Sequence, residues 1–336
     1  MIQVDRLSKH YGPVLAVHDI SFQVGKGEIV GFLGLNGAGK TTTMRILTTW
    51  LPATSGIARV AGYDVMNESM DVRRNIGYLP ESVPLYPEMR VEEYLDYRAR
   101  LKGVTRDARP NRIAEAMELC RIREVRRRLI GTLSKGYRQR VGLADCLTHD
   151  PKILILDEPT AGLDPLQIRE TLHTIEDLAE DHTILFSTHI LSEVEAVCER
   201  VIVIHRGQLA FDRKMSEMTG AEDSDVIAEI RGPAESVLAA LRALDGARSV
   251  KSRNADDGFI TVEVRSAGRR DLREAVFQTA VRNGWTLRCL ESRRRNLFDY
   301  FSKATMQEDE PLDGPRPVPA SSSQPGSTQF TEMPRP

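Results

Sequence analysis

The chain has few cysteines and no paired ones. Its four, Cys120, Cys146, Cys198 and Cys289, stand alone in the sequence, with no CxxC pair and no histidine at metal-ligand spacing. Secreted scaffolds and zinc modules place such residues in regular patterns. We therefore expect reduced thiols, as in a cytosolic protein, and exclude a disulfide framework.

Long hydrophobic runs are also missing. The longest, ILIL at 153–156 and VIVI at 201–204, fall far short of the roughly 20 apolar residues of a membrane-spanning helix. The amino-terminal stretch MIQVDRLSKHYG lacks the apolar segment of a signal peptide. If this protein acts at a membrane, we expect another chain to cross it.

A large excess of charge of one sign is absent as well. With 46 Lys and Arg against 48 Asp and Glu, the formal net charge is -2, whereas a nucleic-acid-binding domain is usually strongly basic. One local run, RIREVRRR at 121–128, is basic. We interpret it as a solvated helix face or ion-pair surface, with contact to anionic lipid headgroups as the alternative.

What the sequence does contain is an alternation of strands and helices. The β-branched runs EIVGFLG, KILILD, HTILFSTH and RVIVIHRG alternate with helical patterns, which favours an α/β fold with a mostly parallel sheet. From about 85 to 145 the periodicity is helical, so we predict a helical subdomain inserted in this core. The first domain is predicted at 1–220.

A different pattern follows. Residues 221–304 read as βαββαβ with a short final helix, NLFDYFSK, which predicts a small α+β ferredoxin-like domain. Residues 305–336 are rich in Pro, Ser and acidic residues, a composition typical of a disordered tail.

The most specific motif is GLNGAGKT at 34–41, a complete GxxxxGK[ST] between a strand and a helix. Its glycines let backbone N–H groups surround phosphate oxygens, and the helix amino terminus adds a positive dipole end. Lys40 is expected to reach the β and γ phosphates, and Thr41 to bind Mg²⁺. The motif predicts nucleotide binding.

Two adjacent acids end a later strand. In ILILDEPT, Asp157 and Glu158 follow four apolar residues. At that edge of a nucleotide-binding core one carboxylate can hold Mg²⁺ while its neighbour orients the attacking water.

Together these ordered motifs, over residues 1 to about 215, resemble the ATP-binding subunit of an ABC transporter, in the exporter-type branch of drug, polysaccharide and gliding-motility ATPases. The resemblance implies an N-terminal antiparallel sheet, ATP and Mg²⁺ as cofactors, Glu158, His189 and Lys40 as catalytic residues, and Thr41, Glu81 and Asp157 at the metal. The ATP-contacting residues that it implies are Tyr11, Asn36, Gly37, Ala38, Gly39, Lys40, Thr41, Thr42, Ser134, Gly136 and Asp164.

The loop LSKGYRQR at 133–140 carries a further implication of the family. Its counterpart contacts the γ-phosphate held by the opposing subunit, so two copies would enclose two ATP molecules. Lys135 and Tyr137 depart from the common LSGGQ form, and Glu81 stands where a glutamine is usual. A carboxylate there can bind Mg²⁺ more strongly than an amide, but it adds negative charge near the phosphates.

The function that the resemblance implies is an ATPase at the cytoplasmic face of the membrane, powering a separate transmembrane permease, most readily as an exporter. No nucleic acid is expected as a partner. The alternative is a soluble ABC-type ATPase acting on ribosomes or nucleic acid, although the chain has neither a second cassette nor long heptad repeats. A regulatory module without hydrolysis is disfavoured by the intact Lys40, Asp157, Glu158 and His189.

Overall fold

A computed structural model describes residues 1–218, 224–254, 258–266, 271–294 and 297–306. In the first part the strands are β1 (Ile2–Tyr11), β2 (Val14–Val24), β3 (Ile29–Leu33), β4 (Ser55–Val60), β5 (Tyr63–Asp64), β6 (Ile76–Leu79), β7 (Ile153–Asp157), β8 (Thr183–Thr188), β9 (Arg200–His205) and β10 (Gln208–Lys214). Its helices are α1 (Lys40–Leu47), α2 (Ser69–Asn75), α3 (Val91–Leu101), α4 (Arg109–Leu119), α5 (Lys135–Leu147), α6 (Pro165–Leu178), α7 (Leu191–Val197) and α8 (Met215–Met218).

The central sheet has six strands in the order β10-β9-β3-β8-β7-β6. All neighbours are parallel except β10, which runs antiparallel to β9. Along β7, Leu154 and Leu156 face one buried cluster while Ile153 and Ile155 face the other. This alternation explains why the strand is apolar throughout: both of its faces are covered.

A second, antiparallel sheet covers one face of the central sheet. Its strand order is β2-β1-β4-β5, and its inward side chains, such as Ile2, Leu7 and Ile20, share a core with α1 and the central strands. The predicted N-terminal antiparallel strands are thereby confirmed.

The inserted segment is helical, as predicted. Between β6 and β7 the chain forms α3, α4, two 3₁₀ turns (Arg123–Val125 and Ile130–Thr132) and α5. The start of α3 is fixed by the Glu93 carboxylate, which accepts a hydrogen bond from Arg90 N at 2.9 Å. Tyr94 and Leu95 on its inner face are fully buried in the main core.

The remaining described residues form β11 (Ser224–Arg231), α9 (Ala234–Arg242), β12 (Ala247–Asn254), β13 (Ile260–Ser266), α10 (Arg273–Arg282), β14 (Thr286–Arg294) and α11 (Leu297–Met306). The four strands pair antiparallel in the order β12-β13-β11-β14. This is the ferredoxin-like order, so the predicted fold class is confirmed; the bounds of the domains stay predictions.

Helix α11 packs against α7 and β9 of the first part of the chain. Leu297 and Phe301 belong to the same buried cluster as Val194 and Val201 of the first part, and the Tyr300 ring lies 6.4 Å from that of Phe211. The tail predicted at 305–336 lies outside the described residues from 307 onward. Within the part that the structure describes, no helix is both long and apolar enough to cross a bilayer.

Candidate active site

The residues with predicted chemistry meet at one edge of the central sheet. The phosphate loop leaves β3, Asp157 ends β7, and His189 follows β8 directly. These three strands are parallel neighbours, so their carboxyl ends lie side by side. Ligands of open α/β sheets bind at this edge.

Gly39 gives the phosphate loop its shape. It caps α1 with a φ of 106°, in a region that side chains with a Cβ rarely adopt. A Cβ placed there would lie 2.7 Å from the carbonyl oxygen of Ala16. Glycine is therefore required at this position, and it leaves the amino terminus of α1 facing the cavity.

Glu158 lies between two basic side chains. Its Oε1 is 3.2 Å from Lys40 Nζ, and its Oε2 is 2.7 Å from His189 Nδ1. Lys40 also donates to the carbonyl oxygens of Gly34 at 2.8 Å and Leu35 at 3.2 Å. Lys40 and Glu158 are 5% and 6% exposed, and Glu158 has a φ of 51°. A non-glycine residue in this conformation is uncommon and occurs where the surroundings fix it, often at functional sites.

Behind Glu158, Asp157 is bound by two hydroxyl groups. Ser187 Oγ donates to Asp157 Oδ1 at 2.6 Å, and Thr41 Oγ1 donates to the same oxygen at 3.2 Å. Burial raises the pKa of Asp157; these two hydrogen bonds lower it, and the charges of Glu158 and Glu81 raise it further. A bound cation would offset this cost of burial.

These residues fit Mg²⁺. The second carboxylate oxygen of Asp157 is buried and has no hydrogen-bond partner among the described residues, and the Thr41 hydroxyl lies beside the first. Mg²⁺ in nucleotide sites is commonly held by one or two protein oxygens together with phosphates and water. In the described ranges, no group of three or more His, Cys, Asp or Glu side chains forms a metal cage.

A cavity of about 360 Å³ connects most of these groups. Of the predicted site residues, its lining includes Asn36, Gly37, Gly39, Lys40, Thr41, Thr42, Glu81, Glu158 and His189. The others lie outside this lining: Tyr11, Ala38, Ser134, Gly136, Asp157 and Asp164.

Two of the residues outside the cavity have local partners. Tyr11 ends β1, is 44% exposed, and has Lys9 Nζ 5.4 Å from its ring centroid. Asp164 caps α6, where its carboxylate accepts from the backbone N–H groups of Leu166 and Gln167 at 3.0 Å each.

Comparison with known proteins assigns the chain to a family. The family model described as "ABC transporter" matches residues 17–161. The chain is 32% identical to the uncharacterized ABC transporter ATP-binding protein YxlF of Bacillus subtilis over 90% of its own length and 99% of that protein. It is 30% identical to the linearmycin resistance ATP-binding protein LnrL of the same organism, over 91% and 98%. The chain belongs to the ABC transporter ATP-binding family.

A solved structure agrees with this assignment. The ATP-binding subunit of an ABC transporter superimposes with a TM-score of 0.60 and 30% identity, covering 65% of this chain and 91% of that one. The predicted resemblance is confirmed, and the chain is an ABC-type ATPase that binds ATP.

Within the ABC family, the loop at 133–140 departs from the common pattern, and the structure shows what the departures contact. Ser134 caps α5 by accepting from Tyr137 N at 3.3 Å. The Tyr137 hydroxyl donates to Glu124 at 2.9 Å, and the Arg140 guanidinium lies 5.7 Å from the Tyr137 ring. Tyr137 thus joins the loop to the basic run at 121–128.

Sequence reasoning missed two contributors to this ABC site. Ser187 binds Asp157 and also accepts from Glu158 N at 3.1 Å, so one hydroxyl positions both acids. A polar residue at the end of the apolar strand TILFST was the available signal. Lys135 lies against Gly162 of the loop that follows DEPT; no pattern in the sequence indicates that contact.

Proposed function

We propose that this chain is the Mg²⁺-dependent, ATP-hydrolysing subunit of a transporter whose membrane-spanning part is a separate permease. The observation that carries the proposal is the one cavity that Lys40, Thr41, Glu158 and His189 line together. Asp157 lies behind it, within hydrogen-bond distance of Thr41. The buried strands fix these groups before substrate binds, as catalysis by orientation requires.

In the proposed mechanism Glu158 orients and deprotonates the water that attacks the γ-phosphate. When ATP enters, its phosphates compete with the Glu158 carboxylate for Lys40, which frees that carboxylate for water. His189 retains its contact with Glu158 and fixes the orientation of its carboxylate. Asp157, Thr41 and Glu81 would hold Mg²⁺, which neutralises phosphate charge when bound.

The signature loop is proposed to act on a second copy of the chain. Ser134 and Gly136 lie at the amino terminus of α5, where a helix dipole favours an anion. If each copy presents this terminus to the γ-phosphate held by the other, two ATP molecules are enclosed in a closed twofold dimer. Tyr11 and Asp164 are proposed to contact the nucleotide and the opposing subunit, respectively.

Export is the direction that we propose, at the cytoplasmic face of the membrane. A relative that the chain matches along nearly its whole length, LnrL, is named for resistance to linearmycin. Resistance is a property expected of a pump that removes a compound from the cell. The cargo is set by the permease.

The catalytic part of the proposal is tested with Glu158→Gln. Because the amide keeps the size of the side chain but cannot accept the proton, we expect unchanged ATP binding and a turnover at least about 10²-fold lower. Binding is measured with a fluorescent nucleotide, and turnover as ADP formed. Hydrolysis by this variant at the wild-type rate would remove Glu158 as the base.

The transport part is tested by affinity capture from detergent-solubilised membranes. We expect a stoichiometric multi-span protein that changes the ATPase rate of the recovered complex. Recovery of ribosomes or nucleic acid with the active enzyme, and of no membrane protein, would leave the ATPase assignment intact and contradict the transport assignment.

A further inference from the structure

The turn that carries His189 is held by one hydroxyl group. Thr188, the last residue of β8, is fully buried, and its Oγ1 accepts a hydrogen bond from Ile190 N at 3.0 Å. A threonine that binds the backbone two residues further on stabilises a compact turn. His189 is the middle residue of this turn, and its Nδ1 lies 2.7 Å from Glu158 Oε2. The hydroxyl thus joins the two residues that flank His189.

The geometry of β8 directs this hydroxyl toward α7. Successive side chains of a strand point to opposite faces of the sheet. Ser187 reaches Asp157, so Thr188 points away from that acid. On the other side it meets Glu193, in the first turn of α7. The end of β8 therefore serves the acids with one hydroxyl and the turn at His189 with the next.

Glu193 determines how the Thr188 hydroxyl is oriented. Its Oε2 lies 2.6 Å from Thr188 Oγ1. Because this hydroxyl accepts from Ile190 N, its own proton points elsewhere, and a carboxylate oxygen is an acceptor for it. The Thr188 hydroxyl therefore donates to Glu193, which holds its lone pair toward the N–H of Ile190.

The Glu193 carboxylate is buried at a cost. The residue is 2% exposed, and its Oε1 has no hydrogen-bond partner in the part of the chain that the structure describes. Burial of an acid with incomplete hydrogen bonding lowers stability, and an apolar side chain of similar size would avoid this. The cost indicates that the carboxylate serves the turn at His189 rather than the stability of the fold.

We propose that Glu193 is a positioning residue for ATP hydrolysis, which acts through Thr188 on His189 and so on the orientation of the Glu158 carboxylate. The inference rests on the proposed function, because it assumes the role given there to His189. Glu193 is not part of the lining of the nucleotide cavity, so it acts at a distance from the phosphates. Without its carboxylate the Thr188 hydroxyl can rotate and the turn loosens. Turnover should then fall with little change in ATP affinity.

The test is steady-state ATP hydrolysis by the full-length protein, measured as kcat and as KM for ATP. Glu193→Met removes the acceptor for Thr188 at similar size, so we expect kcat to fall about tenfold and KM to change by less than about twofold. The melting temperature should not fall, because the change removes a buried acid. Glu193→Gln keeps an acceptor oxygen and should recover most of kcat. Glu195→Met, at an exposed acid of the same helix, should behave as the wild type does.

Double variants test the route through Thr188 and His189. In a Thr188→Val or a His189→Ala background, Glu193→Met should lower kcat no further, since residues that act as one unit are not additive. Full additivity in both backgrounds would overturn the inference. So would a melting temperature that falls in parallel with kcat in both Glu193 variants, because that pattern belongs to a structural role.

Failure of this inference is distinguishable from failure of the proposed function. If the wild type hydrolyses ATP, His189→Ala is impaired and Glu193→Met keeps the wild-type kcat, only the role of Glu193 is contradicted. If the wild type forms no ADP, or if His189→Ala hydrolyses ATP at the wild-type rate, the proposed function itself is contradicted.

Discussion

At the scale of single residues, Ser187 determines the position of both acids of the site. Its hydroxyl donates to Asp157 and accepts from the backbone N–H of Glu158, and it is fully buried. Strand β8 therefore positions the proposed metal ligand and the proposed base through one side chain. A shift in either acid alters both functions at once.

Ser187→Ala should accordingly lower both stability and turnover. The loss of a buried hydrogen bond to a carboxylate costs about 1–3 kcal/mol of unfolding free energy. The pKa of Asp157 rises further without this bond, so the Mg²⁺ concentration for half-maximal ATPase activity should increase. Denaturant unfolding and Mg²⁺ titration of the rate measure the two effects. Ser192→Ala, at an exposed position of α7, is the matched control; equal behaviour of both variants would contradict the role of Ser187.

His149 is a second residue whose environment predicts a measurable effect. Burial and the nearby charge of Lys102 lower its pKa to about 4, while His149 Nε2 lies 2.9 Å from the carbonyl oxygen of Ile76. The unfolded chain takes up the proton near pH 6.5. Between these values the unfolded state binds more protons, so stability is present above pH 6.5 and is lost as the pH falls toward 4.

The size of this change in stability follows from the difference between the pKa of His149 in the folded and in the unfolded chain. About 2.5 pH units correspond to at most about 3 kcal/mol of unfolding free energy. His149→Gln keeps a donor for Ile76 but does not titrate, so its stability should fall less than that of the wild type between pH 7 and pH 4. Denaturant unfolding at each pH measures the difference. His10→Gln, at an exposed position of β1, should follow the wild type; a parallel pH dependence in His149→Gln would contradict the assignment.

At the scale of elements, α11 joins the end of the described chain to the ATPase core. Leu297 and Phe301 are buried in the cluster that contains Val194 of α7, and α7 begins two residues after His189. The Arg213 guanidinium lies 5.7 Å from the Tyr300 ring centroid. Helix α11 thus contributes to the core that supports the active-site edge.

This packing predicts a difference between two phenylalanines of one helix. Phe301 is 7% exposed and Phe298 is 55% exposed. Phe301→Ala should cost about 3 kcal/mol of unfolding free energy because it leaves a cavity, whereas Phe298→Ala should change it by less than about 0.5 kcal/mol. Thermal unfolding in the presence of ATP, which reports the nucleotide-binding core, measures both. Equal melting temperatures would show that α11 does not support that core.

At the scale of the whole molecule, the sequence predicted those parts of the fold and of the site whose signal lies in adjacent residues. Burial on both faces makes β7 continuously apolar, and GLNGAGKT fixes the phosphate loop through Gly39, so both are readable from adjacent residues. The contact of Lys135 with Gly162, and the docking of α11 onto α7, join segments far apart in the chain. No regular residue spacing in the sequence indicates either contact, because each is determined by the packing of the folded chain.

The last prediction concerns two copies of the chain. If ATP is enclosed between subunits, a variant that binds ATP without hydrolysing it should accumulate as a dimer, because only that state completes the contacts of the γ-phosphate. We expect Glu158→Gln to double its mass in light scattering on addition of ATP and Mg²⁺. Lys40→Ala, which loses a proposed phosphate ligand, should remain a monomer. Adding Ser134→Asn to Glu158→Gln keeps a good cap for α5 but replaces the hydroxyl proposed to contact the opposing phosphate. Loss of the dimer with unchanged thermal stability would assign Ser134 to the interface, whereas a persistent dimer would limit its role to capping α5.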